Sequence, residues 1–404
     1  MVLVQARTLI APSAPALLAA LSRQPKLAHP LLYALSSTLP SDALPDTIKS
    51  LRGLSSSTSL GCLSAPLIVE GKEQFAASMA WFDGARCVPF RSTIPGRERA
   101  QVGRRVDARL PEDTAAFDAE AGLDRVALGD SAAWADVWAG APPGLPKELT
   151  HIPYVSALVM FSDDAPQGLL SALKAAYPET YKMALRASST PFVTGRPFTL
   201  LRDDEVHSSG AMGFALLKSK PSFSTGFAGL RPLSPSMKVT AAEGNLIHTL
   251  NDSNPSQLLL DAIRAAGLYG DGAKEDRFVL GVSTSAESIH ERAFRITSGD
   301  PKRGTLALET DATIAENSFV QFFKSSPPTD VARPSETPSI SFMTTSDVPG
   351  MPLQNSSENS MDVESVRIFD ASFVAGSENG WTVAQASEEV WACSVPGASA
   401  SMTW

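Results

Sequence analysis

The stretch YVSALVMFSDDAPQGLLSALKAAY, from Tyr154 to Tyr177, carries two structural signals in succession. Tyr154 to Phe161 is an apolar run that reads as a strand. Asp163 and Asp164 suit a helix entry, where carboxylates accept backbone N–H groups and face the positive end of the dipole. Pro166 suits the first helical turn, because its missing N–H needs no partner there. Leu169, Leu170, Leu173, Ala176 and Tyr177 then fall on one helical face. A strand that feeds directly into an amphipathic helix predicts helices packed on mixed sheets.

The same alternation extends in both directions. Upstream, Val2 to Ile10 reads as a strand, and a helix follows with Leu17, Leu18 and Leu21 on one face. Leu31 to Leu35 and Ser59 to Ile68 read as strands, the latter interrupted by Gly61, with a short helix at Pro45 to Leu51 between them. Pro111 to Pro146, rich in Ala, Asp, Gly and Pro, reads as a long surface excursion. Downstream, strands are expected near Phe198 to Leu201 and Ala211 to Leu217. Past Pro221, Met237 to Ala242 and Leu246 to Leu250 flank Glu243-Gly244-Asn245 as a β-hairpin. Asn254 and Pro255 start a helix with Leu259, Ala262, Ile263 and Ala266 on one face, and Gly267 ends it. Strands at Arg277 to Val282, Thr305 to Leu308 and Phe319 to Phe323 complete a meander. The stretch 325–365 is crowded with Ser, Thr, Pro and Asn and is expected to be a disordered insertion. Alternation resumes at Phe369, Ala371, Phe373 and Ala375, then at Trp391, Cys393 and Val395. The fold class is α+β (mixed α/β), in two halves, 1–220 and 221–404.

Bulk properties narrow the function. A chain of 404 residues exceeds the about 250–300 residues at which single cores stop growing, so two domains are expected. Net charge is −9, which disfavours a nucleic-acid partner, since phosphate contacts need clustered cations. Arg86, Arg91, Arg97, Arg99, Arg104 and Arg105 form one basic loop, read as a solvated surface with an anionic docking patch as the alternative. No apolar stretch approaches the roughly 20 residues of a membrane helix, so no membrane partner is expected. Cys62, Cys87 and Cys393 are too few for a disulfide framework and suggest a reducing compartment, cytoplasmic or nuclear. The Arg7, Arg23 and Lys26 of an N-terminus without acidic residues before Asp42 raise a mitochondrial address as the alternative to an ordinary strand and helix.

Chemistry-bearing patterns are sparse. His29, His151, His207, His248 and His290 show no metal-ligand spacing, and no cofactor is implied. Gly267 to Lys274 lacks the Lys and hydroxyl positions of a phosphate-binding loop. Asp163/Asp164 read as helix entry and Asp203/Asp204 as a solvated turn. Two Arg-Pro steps, Arg196-Pro197 and Arg231-Pro232, bias each arginine toward an extended backbone; a surface turn with a solvent-facing arginine is the first reading, and a bidentate carboxylate clamp the alternative.

Three ordered stretches carry a family likeness. They are Ser57-Thr-Ser-Leu-Gly61-Cys62-Leu-Ser64; Ser188-Ser-Thr-Pro-Phe192 through Thr194-Gly-Arg-Pro197 to Gly210-Ala-Met-Gly213; and Ser224-Thr-Gly226-Phe227 through Val239-Thr240-Ala241 to Gly244-Asn245. In this order they resemble the FIST family, with an N-terminal and a C-terminal FIST-like half. Ala184 stands where the family carries glycine, and no F-box is evident before the FIST-like pattern. The resemblance implies a non-enzymatic intracellular sensory or recognition protein. It would bind a small ligand, an amino acid among the candidates, or a protein partner in signalling. The alternative is a substrate-recruiting component that works with ubiquitin ligase components. A cryptic hydrolase using a hydroxyl of Ser188 to Thr190 is the reading from another class. The ligand-binding candidates are Ser188, Ser189, Thr190, Thr194, Arg196, Gly226 and Arg231. Arg196 and Arg231 are expected to share one cleft at the junction of the halves and to favour an anionic ligand.

Overall fold

The computed structural model describes residues 2–94, 144–268, 278–287, 290–300, 304–326, 337–346, 366–384 and 389–404. Most of the 111–146 excursion, Arg97, Arg99, Arg104 and Arg105 lie outside the described residues.

Hydrophobic alternation builds the layers. In the strand Leu31–Ser36 every residue is buried. Leu31, Tyr33 and Leu35 belong to one core with Leu17 and Leu21 of helix α1 (Ala14–Ser22) and Leu51 of helix α2 (Leu44–Arg52). Leu32 and Ala34 point the other way, into a core shared with Val159, Phe161, Met183 and Phe214. The odd and even side chains of one strand thus serve two cores, as the two-residue period of a strand requires. The same division occurs in the next sheet. Val159 and Phe161 face inward, while Leu158 and Met160 pack with Leu169, Leu170 and Leu173 of helix α3 (Gln167–Ala176). The result is a four-layer stack of helices, sheet, sheet and helix. Phe82 and Phe214 meet across the central layer with ring centroids 5.1 Å apart.

The first sheet runs, in spatial order, Glu205–His207, Leu200–Arg202, Ser59–Ser64, Leu31–Ser36, Lys72–Phe82, Leu3–Ala11 and Arg367–Asp370, with Leu67–Val69 paired to Lys72–Phe82. The second runs Trp391–Cys393, Trp381–Ala384, Tyr181–Arg186, Ala157–Ser162, Ala211–Leu216 and Cys87–Ser92. Both are mixed: Leu31–Ser36 is parallel to Ser59–Ser64, and Ala157–Ser162 to Tyr181–Arg186. The sheets cross the expected division at residue 221, since strands after residue 366 supply an edge to each. A third sheet of four strands joins Ser222–Phe227, Ala398–Thr403, Ser339–Thr344 and Ser372–Ser377.

Among the described residues, six of the seven remaining strands close on themselves, and Leu230–Pro232 pairs beside them with Phe319–Ser325. Phe319–Ser325, Met237–Glu243, Leu246–Leu250, Thr305–Leu308, Arg292–Asp300 and Phe278–Ser283 pair in a ring, because Phe278–Ser283 returns to Phe319–Ser325. Helix α5 (Pro255–Ala265) contributes Leu259 and Ala262 to its core. The Asn254 side chain caps it, accepting from Gln257 N at 3.0 Å. The architecture is mixed α/β but strand-rich, with the sheets covering one another more than helices cover them. Among the described residues no helix is long and apolar enough to cross a membrane.

Four expectations need correction. Within 325–365, expected to be disordered, Ser339–Thr344 is a strand with Ile340 and Phe342 fully buried. Serines hide its alternation, and they are accommodated by pairing: Ser341 Oγ lies 2.8 Å from Ser401 Oγ on the neighbouring strand. The rest of that stretch lies largely outside the described residues. The meander is a closed ring because it includes Arg292–Asp300, whose charges and Gly299 obscure the strand. Phe369 to Ala375 is two strands in two sheets, broken at Ala371, whose φ is +60°. Asp163 and Asp164 do not cap α3, whose N-cap is Pro166. Asp163 instead accepts Gly210 N at 2.6 Å and Ala165 N at 3.0 Å.

Gly61 has a specific reason to be glycine. It is the direct parallel neighbour of Tyr33, whose ring lies across it. A Cβ at position 61 would sit 2.3 Å from Tyr33 Cζ. Gly61→Ala should therefore lower stability by about 1–3 kcal/mol, the range for forcing atoms into a packed core. A urea melt checks this, and adding Tyr33→Leu should recover part of the loss.

Lys182 is wholly buried in the second sheet and donates to the carbonyls of Tyr177 at 2.7 Å and Thr180 at 2.9 Å. Burial, aided by nearby Lys174 and opposed by Glu179, lowers its pKa from 10.5 to about 8. Between those values the unfolded chain binds more protons than the folded one, so stability at this position rises with pH through that window. Compared with Lys182→Met, the natural protein should gain relative stability from about pH 8 upward in paired urea melts.

Candidate functional site

The chain leaves the second sheet at Arg186 and stitches itself to the first. Ala187 N donates to Ser162 O at 2.7 Å, and Ser188 N donates to Leu63 O at 3.1 Å. On its return, Leu63 N donates to Thr199 O at 3.0 Å. The loop 187–199 is therefore held at both ends by one residue of the strand Ser59–Ser64. A turn at 377–380 closes over the same corner. Arg186 N donates to Gly380 O at 3.1 Å, Ser189 N to Glu378 Oε1 at 2.7 Å, and Asn379 Nδ2 to Ala187 O at 2.9 Å. Gly380 has φ +76°, and a Cβ there would lie 1.9 Å from Cys393 O, so only glycine fits.

Inside the loop, hydroxyls do the fastening. Pro191 opens the short helix α4 (Pro191–Thr194), and Gly195, with φ +72°, ends it. Thr190 N donates to Pro197 O at 2.9 Å, and Thr190 Oγ1 to Arg196 O at 3.0 Å. Thr199 Oγ1 lies 2.7 Å from Thr190 Oγ1 and 2.8 Å from Thr194 Oγ1. Three threonines thus close residues 190–199 into a compact unit.

Both charge signs are present at the corner. The Arg186 side chain is 2% exposed, donates from Nε to Thr382 Oγ1 at 3.1 Å, and lies 3.7 Å from Asp164 Oδ1. Glu378 supplies a second carboxylate. Ser188 is buried, and its hydroxyl has no hydrogen-bond partner among the described residues. Such a group costs about 1–3 kcal/mol to leave unsatisfied.

The structure brings together Ser188, Ser189, Thr190, Thr194 and Arg196. Gly226 lies elsewhere, in Ser222–Phe227 opposite Ser399, and Arg231 lies in Leu230–Pro232 opposite Lys324. Arg196 and Arg231 are both exposed, and neither guanidinium has a hydrogen-bond or ion-pair partner among the described residues. Arg186, Thr199, Thr382, Glu378 and Asn379 were not identified from sequence. Asn379-Gly380 is a turn signal, but nothing local says that this turn lands on Ala187.

Cys62, Cys87 and Cys393 are free and buried, and burial pushes the Cys87 and Cys393 thiols up to about 12. No histidine among the described residues hydrogen-bonds the hydroxyls of Ser188, Ser189 or Thr190. Asp203, expected in a solvated turn, accepts Ser59 N at 2.7 Å, and Asp204 pairs with Arg52.

The sequence profile of the FIST N domain matches residues 32–253, more than half of the chain. The chain belongs to the FIST family, a domain associated with signal transduction. A search among curated proteins finds no match. The matched range holds the whole 187–199 loop, whereas the turn that closes over it lies outside that range.

Thr199 is the hub of the loop, so Thr199→Val should remove two hydroxyl contacts at once. The expected loss is about 1–2 kcal/mol in a urea melt, from net hydrogen-bond values near 1 kcal/mol each. Amide exchange should rise within 190–197 and stay unchanged in α3.

Proposed function

We propose that the chain is a non-enzymatic recognition module of signalling, and that the corner formed by residues 186–199 and 377–380 receives a small polar ligand. The observation that carries this reading is the buried Ser188 hydroxyl without a partner. Natural proteins rarely leave such a group unpaired without a use for it. A ligand that enters the corner would complete its hydrogen bond. An amino acid is the class that fits best. Its ammonium calls for carboxylates, here Glu378 and Asp164, and its carboxylate calls for cations and hydroxyls, here Arg186, Ser188 and Ser189.

Recruitment of a protein, including a substrate handed to ubiquitin machinery, is the second reading. Phe192, fully exposed on the same loop, favours a protein partner and carries no sign of the ubiquitin link in particular.

A thermal-shift screen of the natural amino acids tests the leading reading. A ligand at 100 times its dissociation constant stabilises the fold by about 2.7 kcal/mol. Ser188→Ala should abolish that shift. Without ligand the variant should be at least as stable as the natural protein, because it removes an unpaired buried hydroxyl. If no amino acid moves the melt, or if Ser188→Ala keeps the shift, the small-ligand reading fails.

A further inference from the structure

The outer face of the 187–199 loop presents a different chemistry from its inner face. Phe192 stands at the tip with a relative exposure of 102%, so its whole ring is in water. Pro191, Arg196 and Pro197 are exposed with it. Scattered exposed apolar residues are common and mean little by themselves. Three features separate Phe192 from that background. First, the backbone that carries it is closed by the hydroxyls of Thr190, Thr194 and Thr199, so the loop itself is ordered. Second, Val193 is partly buried and packs against the core beside α1 and α2, which anchors the base of the tip while leaving Phe192 outside. Third, the Arg196 guanidinium has no intramolecular partner among the described residues, and residues 187–199 contain no carboxylate.

We propose that Phe192 and Arg196 form the tip of a docking loop, and that its partner is a different protein presenting an apolar pocket with a carboxylate at its rim. Aromatic and arginine side chains dominate binding hot spots, the aromatic filling a pocket and the arginine pairing at its edge. A loop already ordered by its own hydroxyls loses little freedom on binding. Charge decides among occupants. The exposed cation calls for an anionic rim. The chain carries a net charge of −9, which opposes a second copy and opposes an anionic lipid surface. A separate protein with a local carboxylate meets neither objection. This inference uses the outer face of the loop and is independent of a ligand beneath it.

The test begins with the full chain carrying p-benzoylphenylalanine at position 192, photolysed in cells. The protein joined there is then purified, and its affinity is measured for the natural chain and for variants. Phe192→Ala and Arg196→Glu should each weaken binding by about tenfold or more, as truncated hot spots do. Arg196→Lys should stay within about threefold, because it keeps the rim charge. Tyr154→Ala, which removes another exposed aromatic, should have no effect. All variants should melt with the natural protein, since none of these side chains is buried. A charge-reversing substitution of one rim carboxylate on the partner should restore binding to Arg196→Glu. The proposal is overturned by an unchanged affinity of Phe192→Ala. Cross-links only to a second copy of this chain also overturn it, as does the absence of any protein cross-link. Binding to phosphatidylserine vesicles that depends on Phe192, with no protein partner, would assign the tip to a membrane instead. Loss of amino-acid binding in Ser188→Ala with docking intact would separate the two readings.

Discussion

The backbone of Leu63 holds the corner between the two large sheets together. Its carbonyl accepts from Ser188 and its N–H donates to Thr199, so one residue of the first sheet grips both ends of the loop that leaves the second. Leu63 is itself fixed, buried in the core beneath α1 and α2. The register of the loop is therefore set by the packing of the sheet and not by the loop's own residues. The hydroxyl bonds of Thr190, Thr194 and Thr199 add shape to a segment whose ends are already placed.

Layering explains why strands outweigh helices. Each of the two large sheets is buried on both faces: one faces the other sheet, and the opposite one faces helices. Strands in this position carry apolar residues at nearly every place, as Leu31–Ser36 and Ala157–Ser162 do. The third sheet continues the central core, with Phe342 and Phe373 6.0 and 6.4 Å from Phe161. A core assembled from stacked sheets needs helices only on its outer faces.

What could be read from sequence was what local chemistry decides. The hairpin around Gly244, with φ +57°, the Asn254 cap and the left-handed Gly267 all follow from neighbours in the chain. Tertiary context decided the rest. Ser339–Thr344 looks like a linker until Ala398–Thr403 and Ser372–Ser377 flank it, when its serines become pairing groups. Ala371 takes a left-handed backbone because the chain must pass from one sheet to another there. At the corner, the loop residues were legible through their family likeness. Asn379 was not, because its bond to Ala187 spans 192 positions. A side chain that acts at such a distance leaves no spacing to detect.

The placement of the late strands bears on how the protein is made. A ribosome delivers Leu3–Ala11 and Tyr181–Arg186 long before Arg367–Asp370 and Trp381–Ala384, their neighbours in the two large sheets. Until translation reaches those neighbours, both sheets stand with bare edges, the kind of surface that recruits chaperones or stray strands. Arg7 waits for Asp370 across 363 positions. A product cut short before residue 367 would keep both edges open however well its first half had folded. The nascent molecule thus keeps two strand edges open to wrong pairing until residues 367–384 have been made.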